Sequence, residues 1–286
     1  MDELAVIIKA HSFISKVKAL RIPVVLEDYL AQANAGMSVD MSLSLNEAGM
    51  CMSKNGRHFI FVNGNDTPER QRFTICHELG HIVLGLPSNH ANGFDLYSYR
   101  RRDANEVQCD VFASELLLPL KHFRPRLADL EITFSSIDGL ADEFEASVTS
   151  TGSRFAIHNQ EPCAFVISNK GQVKYAAMST SLRELKAFIR PGSTFPSGSS
   201  SALVRSGKRV NGPLEIAADV WFQDWRRGGV ILEEARHLSK WDQTLTLLWY
   251  DADLSDNCEI RDVEKDGEHG LQELDGMLHF HKRSRR

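Results

Sequence analysis

The sequence has few cysteines and no apolar run long enough to cross a membrane. Its five cysteines are an odd number without C-x-x-C spacing, which excludes a disulfide framework and an all-cysteine zinc site and favours a reducing compartment. No stretch of about 18 uncharged apolar residues occurs. The opening Met-Asp-Glu also lacks the basic region of a signal peptide. We therefore expect a cytoplasmic protein without a membrane segment.

Basic charge is not in excess either. The chain has 33 Lys and Arg against 38 Asp and Glu, a net charge of −5, so a nucleic acid could be held only by a local basic patch. Hydrophobic residues make up 42% of the 286 positions, a globular composition that excludes disorder, collagen and coiled coil as whole-chain descriptions. At about 150 residues per domain, this length predicts two compact units.

Hydrophobic periodicity predicts an α+β fold. Helical spacing covers residues 3–18 and 24–33, alternation predicts a strand over 38–45, and Asn55-Gly56 between two apolar runs predicts a hairpin. Further expected elements follow in chain order: a helix from Thr67-Pro68 to Gly85 or Pro87, a helix from Asp103 to Pro119, helices near 127–130, 136–144 and 147–157, a hairpin at 169–171, a helix over 181–189, a loop over 197–201, and strands over 229–234 and 244–250.

An H-E-x-x-H motif, His77-Glu78-Leu79-Gly80-His81, lies in the first of these long helices. Residues four apart share one helix face, so His77 and His81 can bind one metal ion. Glu78 is placed to act as the general base. Two histidines and a carboxylate suit zinc best, although manganese, cobalt or iron is also accommodated.

The following helix offers a third ligand. Glu106 is the candidate carboxylate, and Asp110, one turn later, is placed to accept the free N–H of a ligating histidine. A metzincin site is excluded because positions 84 and 87 hold Leu and Pro. Each residue also has a structural alternative. Glu106 fits a capping box with Asp103, Asp110 fits a solvated helix position, and both histidines fit a hydrogen-bonded core.

The two cysteines beside the motif residues are interpreted as small core residues. Cys76 precedes His77 and Cys109 precedes Asp110. A neighbour one position away on a helix points about 100° around the axis, away from the ligands.

The run Arg72-Phe-Thr-Ile-Cys-His-Glu-Leu-Gly-His-Ile-Val-Leu-Gly85, followed by Glu106-x-x-Cys109-Asp110-x-Phe112-Ala113-x-x-Leu116-Leu-Leu-Pro119, resembles the ImmA/IrrE family of metallopeptidases. It departs at Cys76 and Cys109, where the family typically has alanine, and at Leu118, where it has methionine. None of these changes removes a ligand. The resemblance covers about residues 40–120.

The resemblance implies a zinc-peptidase fold and a metallo-endopeptidase. Such enzymes cut a partner repressor with an XRE-type helix-turn-helix, which derepresses stress-response or mobile-element genes. The implied domains are a peptidase unit of helices and a small mixed sheet (1–122), a helix-turn-helix-like segment (123–158) and an α/β-rich unit (159–286) for regulation or substrate docking, GAF-like by analogy alone. A second electrophile is expected from His90, Tyr97, Tyr99 or Arg101.

Alternatives to a protease remain open. The protein could sequester its partner without cutting it, hydrolyse a non-protein substrate, or regulate transcription by binding DNA through residues 136–157. The last reading is disfavoured because residues 137–155 hold four acids and a single base, Arg154, whereas a recognition helix gains affinity from phosphate contacts. His279 and His281 near the C-terminus are a weak candidate for a second metal site.

Overall fold

A computed structural model describes residues 2–44, 47–87 and 103–250 and shows an α+β fold. Its α-helices are α1 (Glu3–Ile14), α2 (Leu26–Gln32), α3 (Pro68–Leu84), α4 (Ala104–Leu117), α5 (Leu120–Phe123), α6 (Phe134–Phe144), α7 (Val148–His158), α8 (Thr180–Glu184) and α9 (Ser200–Arg205). The strands are β1 (Ala35–Asp40), β2 (Gly49–Lys54), β3 (Arg57–Asn63), β4 (Cys163–Asn169), β5 (Gln172–Met178), β6 (Leu214–Ala217), β7 (Val230–Leu238) and β8 (Gln243–Tyr250). Short 3₁₀ turns lie at Arg124–Leu127, Ala218–Val220 and Ser239–Trp241.

Local chemical signals set several of these boundaries as predicted. The Thr67 hydroxyl accepts a hydrogen bond from the Arg70 N–H at the start of α3, and Pro68 is the first helical residue. The helix ends at Gly85, whose φ of 69° is left-handed. Both hairpins turn on residues with positive φ, which are Asn55, Gly56, Lys170 and Gly171.

Elsewhere tertiary pairing moves the elements. The strand predicted over 38–45 lies at Ala35–Asp40, because β1 pairs residue for residue with β3 from His58 to Asn63. The helix predicted over 181–189 ends at Glu184, after which Lys186 has a left-handed φ of 64°. The segment predicted as a loop over 197–201 contains the start of α9. The helix predicted near 127–130 is instead a 3₁₀ turn that ends at Leu127.

Two sheets organise the molecule. The small sheet has the order β1-β3-β2, with β1 parallel and β2 antiparallel to β3. The large sheet has the order β5-β4-β8-β7-β6, and every neighbouring pair is antiparallel. Helix α3 packs on the small sheet, and α7 packs on β4 and β5 of the large one.

One hydrophobic core joins both sheets. It runs from Val6 and Tyr29 in the first two helices through Leu79 and Phe112 of the long helices to Phe165 in the large sheet, all of them 0% exposed. A second cluster covers the opposite face of the large sheet and contains Trp221, Phe222 and Trp225. The large sheet is therefore buried on both faces, and its inner face shares a core with the helices before it.

A buried ion pair links three helices of this core. The Arg154 guanidinium on α7 donates two hydrogen bonds to the Glu115 carboxylate on α4, at 2.9 and 2.8 Å. Glu115 Oε2 also lies 3.0 Å from Nε2 of His11 on α1. Because Arg154 and Glu115 are 8% and 4% exposed, the pair is a buried, bidentate connection between α7 and α4.

Within the described residues, the structure has no helix that is both long and apolar enough to span a bilayer.

Candidate metal centre

Helix α3 presents the two histidines of the motif from consecutive turns. His77 and His81 are 1% and 2% exposed, and Glu78 beside them is 1% exposed. The ring centroids of His77 and His81 are 4.9 Å apart. Because the helix is fixed at both ends and packed through Leu79 into the core, these side chains are held on a rigid surface.

Helix α4 brings Glu106 to the same point. The two histidine Nε2 atoms lie 3.1 Å apart. Glu106 Oε2 lies 3.1 Å from His77 Nε2, and Glu106 Oε1 lies 3.6 Å from His81 Nε2. A tetrahedral ion with bonds of about 2.0–2.1 Å separates its ligand atoms by about 3.3 Å. The three side chains therefore match the spacing of a three-ligand metal site.

Asp110 orients His77. Its Oδ1 lies 2.9 Å from His77 Nδ1, and a carboxylate only accepts, so Nδ1 carries the proton and donates it. A neutral His77 then turns the lone pair of Nε2 towards Glu106, which is also an acceptor. Two acceptors 3.1 Å apart need a proton or a cation between them, which is the environment a metal ion would find.

The electrostatics of the site favour positive charge at this point. Burial alone lowers the pKa of His77, but the Asp110 and Glu106 carboxylates outweigh it and raise that pKa to about 9. Burial likewise opposes ionisation of Glu106, yet His77 and His81 hold its pKa well below the usual range. Glu106 Oε1 is buried and has no hydrogen-bond partner among the described residues. The residues present therefore fit a divalent cation.

The contacts of Glu106 and Asp110 differ from the structural alternatives considered for them, a capping box and a solvated helix position. Asp103 caps α4 by accepting from the Asn105 N–H at 2.9 Å, while the Glu106 carboxylate contacts the histidines instead of closing a capping box. Asp110, read alternatively as a solvated helix residue, has a side chain that is only 19% exposed and faces His77.

Cys109 is the residue whose position was not foreseen. It is buried as expected, but its sulfur and one ring nitrogen each of His77 and His81 all lie within 4.8 Å of one another. Its position directly before Asp110 therefore does not keep the Cys109 sulfur away from the histidines. Cys109 follows Glu106 by three residues and so shares its helix face, a signal that was present in the sequence. Cys76 is also fully buried, which raises the pKa of its thiol to about 12.

Gly80 explains why α4 comes so close. A Cβ placed on Gly80 would lie 3.1 Å from the Cα and 3.2 Å from the Cβ of Cys109. Both distances are tighter than ordinary van der Waals contact, so a larger residue at position 80 would require α4 to shift by a few tenths of an ångström. The candidates for a second electrophile, His90, Tyr97, Tyr99 and Arg101, lie outside the described residues, as do His279 and His281.

Residues 17–155 match the sequence model of a peptidase family described as the IrrE N-terminal-like domain. Over this segment, which is just under half of the chain, the protein is similar to the ImmA/IrrE family. The segment contains His77, Glu78, His81, Glu106 and Asp110, and it continues through α6 and most of α7.

Two relatives of this chain are named radiation response metalloprotease IrrE. The protein from Deinococcus radiodurans is 33% identical over 105 residues, which are 36% of this chain and 31% of the relative. The protein from Deinococcus deserti is 30% identical over 112 residues, 38% of this chain and 40% of the relative. The matched part thus spans about a third of the length of these curated relatives.

The fold extends over more of the chain than the sequence similarity does. A solved structure of a Mycobacterium tuberculosis transcriptional regulator aligns with 86% of this chain and 76% of its own, with a TM-score of 0.56 at 14% identity. At that identity the likeness concerns the fold alone. Its coverage is larger than the segment matched by sequence, so the likeness in fold extends beyond residues 17–155.

Proposed function

We propose that the protein is a metal-dependent endopeptidase whose ion, zinc on chemical grounds, is held by His77, His81 and Glu106. The observation that carries the proposal is the convergence of their nitrogen and oxygen atoms at 3.1–3.6 Å. Similarity to this family supports it, because the matched relatives are named metalloproteases. Manganese or another divalent ion fits the same donors.

The bound ion supplies a Lewis acid that polarises the scissile carbonyl and lowers the pKa of a water molecule. Glu78, adjacent to His77 and buried, accepts the proton of the attacking water and later donates it to the leaving amine. Asp110 keeps His77 in the tautomer that presents Nε2.

The substrate proposed is a protein, and specifically an XRE-type helix-turn-helix repressor, as the family resemblance implies. We assign the peptidase to residues 1–122, a helix-turn-helix-like segment to 123–158 and a regulatory or docking unit to 159–286. Direct DNA binding through α6 and α7 is not proposed. Arg154, the one arginine or lysine of α6 and α7, is already engaged by Glu115 and buried, so it cannot reach a phosphate.

The test combines metal content with cleavage. Mass spectrometry of the untagged chain should find about one metal ion per molecule, lost in His77→Ala. A purified XRE-type repressor incubated with wild type should yield a defined product, while Glu78→Gln keeps the metal and cleaves about 10²–10⁴-fold more slowly. A fully active Glu78→Gln protein would contradict this mechanism.

Other outcomes identify the alternatives. Stoichiometric binding of an intact repressor by the metal-loaded wild type would favour a regulator that sequesters its partner. A salt-dependent mobility shift with DNA, absent in a variant of the 136–157 segment, would favour a DNA-binding regulator.

A further inference from the structure

We infer that Cys109 is a protein ligand of the metal bound by His77 and His81, and that its sulfur competes with water for the position that hydrolysis needs. The inference rests on the proposed function, because it concerns the same ion. It adds a residue that a two-histidine, one-carboxylate site does not include, and it makes the resting centre a closed one.

The first support is placement on α4. Glu106, Cys109 and Asp110 occupy positions i, i+3 and i+4, so all three project from the face that meets α3. Glu106 and Asp110 both contact His77 from this face. Cys109 lies between them in sequence and is 0% exposed. Its side chain is therefore enclosed in the same interface as the histidines.

The second support is the helix contact at Gly80. Gly80 directly precedes His81 and follows His77 by three residues. The backbone of Cys109 lies where a Cβ of Gly80 would be only 3.1 Å from it. This contact places the backbone of Cys109 against α3 at a residue between the two histidines. The Cys109 sulfur lies within 4.8 Å of a nitrogen of each ring.

Charge allows the thiolate only together with the ion. Glu78, Glu106 and Asp110 already place three carboxylates around two imidazoles in a largely buried site, so a thiolate without a cation would be disfavoured there. One divalent ion with Glu106 and one thiolate as its anionic ligands forms a neutral unit. When the sulfur binds, its proton is released to solvent, and no oxidant or other reactant is required.

Two consequences follow. A centre with four protein ligands is closed, whereas a hydrolytic centre keeps one position for water. Hydrolysis then requires the sulfur to leave, so wild-type activity is held below the capacity of the site. Thiolate ligation also shifts the metal preference towards zinc, cobalt and cadmium and away from manganese and magnesium.

The test is the absorption spectrum of the full chain after metal removal and addition of one equivalent of cobalt(II). Wild type should show the near-ultraviolet charge-transfer band of a thiolate bound to cobalt. Cys109→Ala should bind one cobalt ion without that band, and its zinc affinity should fall at least about tenfold, since even outer-shell partners are worth about 10–100-fold. Cys163→Ala, which removes a buried thiol from β4, is the matched control and should keep the band.

The results separate failure of this inference from failure of the proposed function. A wild-type cobalt protein without the thiolate band overturns the inference and leaves the proposed function standing, and a band that persists in Cys109→Ala does the same. Failure of every variant to bind cobalt or zinc overturns the proposed function together with the inference. Circular dichroism of Cys109→Ala checks that its helices are intact.

Discussion

At the scale of single residues, the centre depends on side chains that set geometry as much as on those that contact an ion. His77 meets Asp110 through Nδ1 and Glu106 through Nε2. The H-E-x-x-H spacing was sufficient to predict the histidines, and the next helix to predict Glu106 and Asp110 as neighbours. The approach of Cys109 could not be read from its adjacent residue, because it depends on a contact between helices 29 residues apart.

Removing Asp110 should loosen the metal without unfolding the chain. Asp110→Ala deletes the acceptor that fixes the His77 ring, so we expect metal affinity to fall about 10–100-fold. Chelator competition measures the change. Asp142→Ala, an exposed position on α6, should bind metal like wild type, and an unchanged affinity in Asp110→Ala would show that the ring needs no anchor.

Adding one methyl group at Gly80 should separate the two helices of the centre. Gly80→Ala puts a Cβ 3.1 Å from the Cα of Cys109, and overpacking of this kind costs about 1–3 kcal/mol. Urea unfolding measures the loss. Gly139→Ala on α6, where the added Cβ has nothing within 4 Å, should instead stabilise the protein by about 0.5–1 kcal/mol. Equal effects at both positions would rule out the close-contact argument.

At the scale of elements, the ion pair that connects α7 to α4 is the feature that sequence patterns predicted least well. Caps and turns were readable because Thr67, Gly85 and Asn55 act on their own neighbours. The pairing of Arg154 with Glu115 joins residues 39 positions apart, and hydrophobic periodicity contains no information about such partners. The same limit applies to β6, whose four residues are held by their pairing with β7.

Burial and the charged groups around this ion pair should make the free energy of unfolding depend on pH through His158, which is the last residue of α7. Burial and the neighbouring Arg154 lower the pKa of His158 from 6.5 to about 4, against an opposing effect of Glu115 and with a smaller contribution from Arg124. The unfolded chain therefore binds more protons between these two values, so stability falls as pH drops from 6.5 towards 4. Urea unfolding across this window should show a shallower decline for His158→Gln, and identical slopes would exclude His158 as the source.

At the scale of the whole molecule, the length of the chain predicts two compact units, but the helices and the large sheet share one hydrophobic core. Phe165, Ile167, Leu245 and Leu247 of the large sheet belong to the same cluster as residues of the helices from α1 to α7. Length arithmetic predicts the number of units but contains nothing about how much apolar surface they bury against each other.

The shared core should make unfolding a single event. All four tryptophans lie at positions 221–249, so their fluorescence reports on the large sheet, while most of the helical circular dichroism arises from residues 3–158. We expect the two signals to change at the same temperature, because neither part keeps its core without the other. Separate midpoints would show that the helical part before the large sheet unfolds by itself.

The proposed ligands come from two helices, His77 and His81 on α3 and Glu106 on α4. An ion held by both fastens residues that are distant in the chain, in the way a covalent staple would, but reversibly. Because such an ion binds the folded chain alone, each tenfold rise in its free concentration above the dissociation constant adds about 1.4 kcal/mol to the free energy of unfolding. The melting temperature of the protein thereby becomes a gauge of the metal available around it.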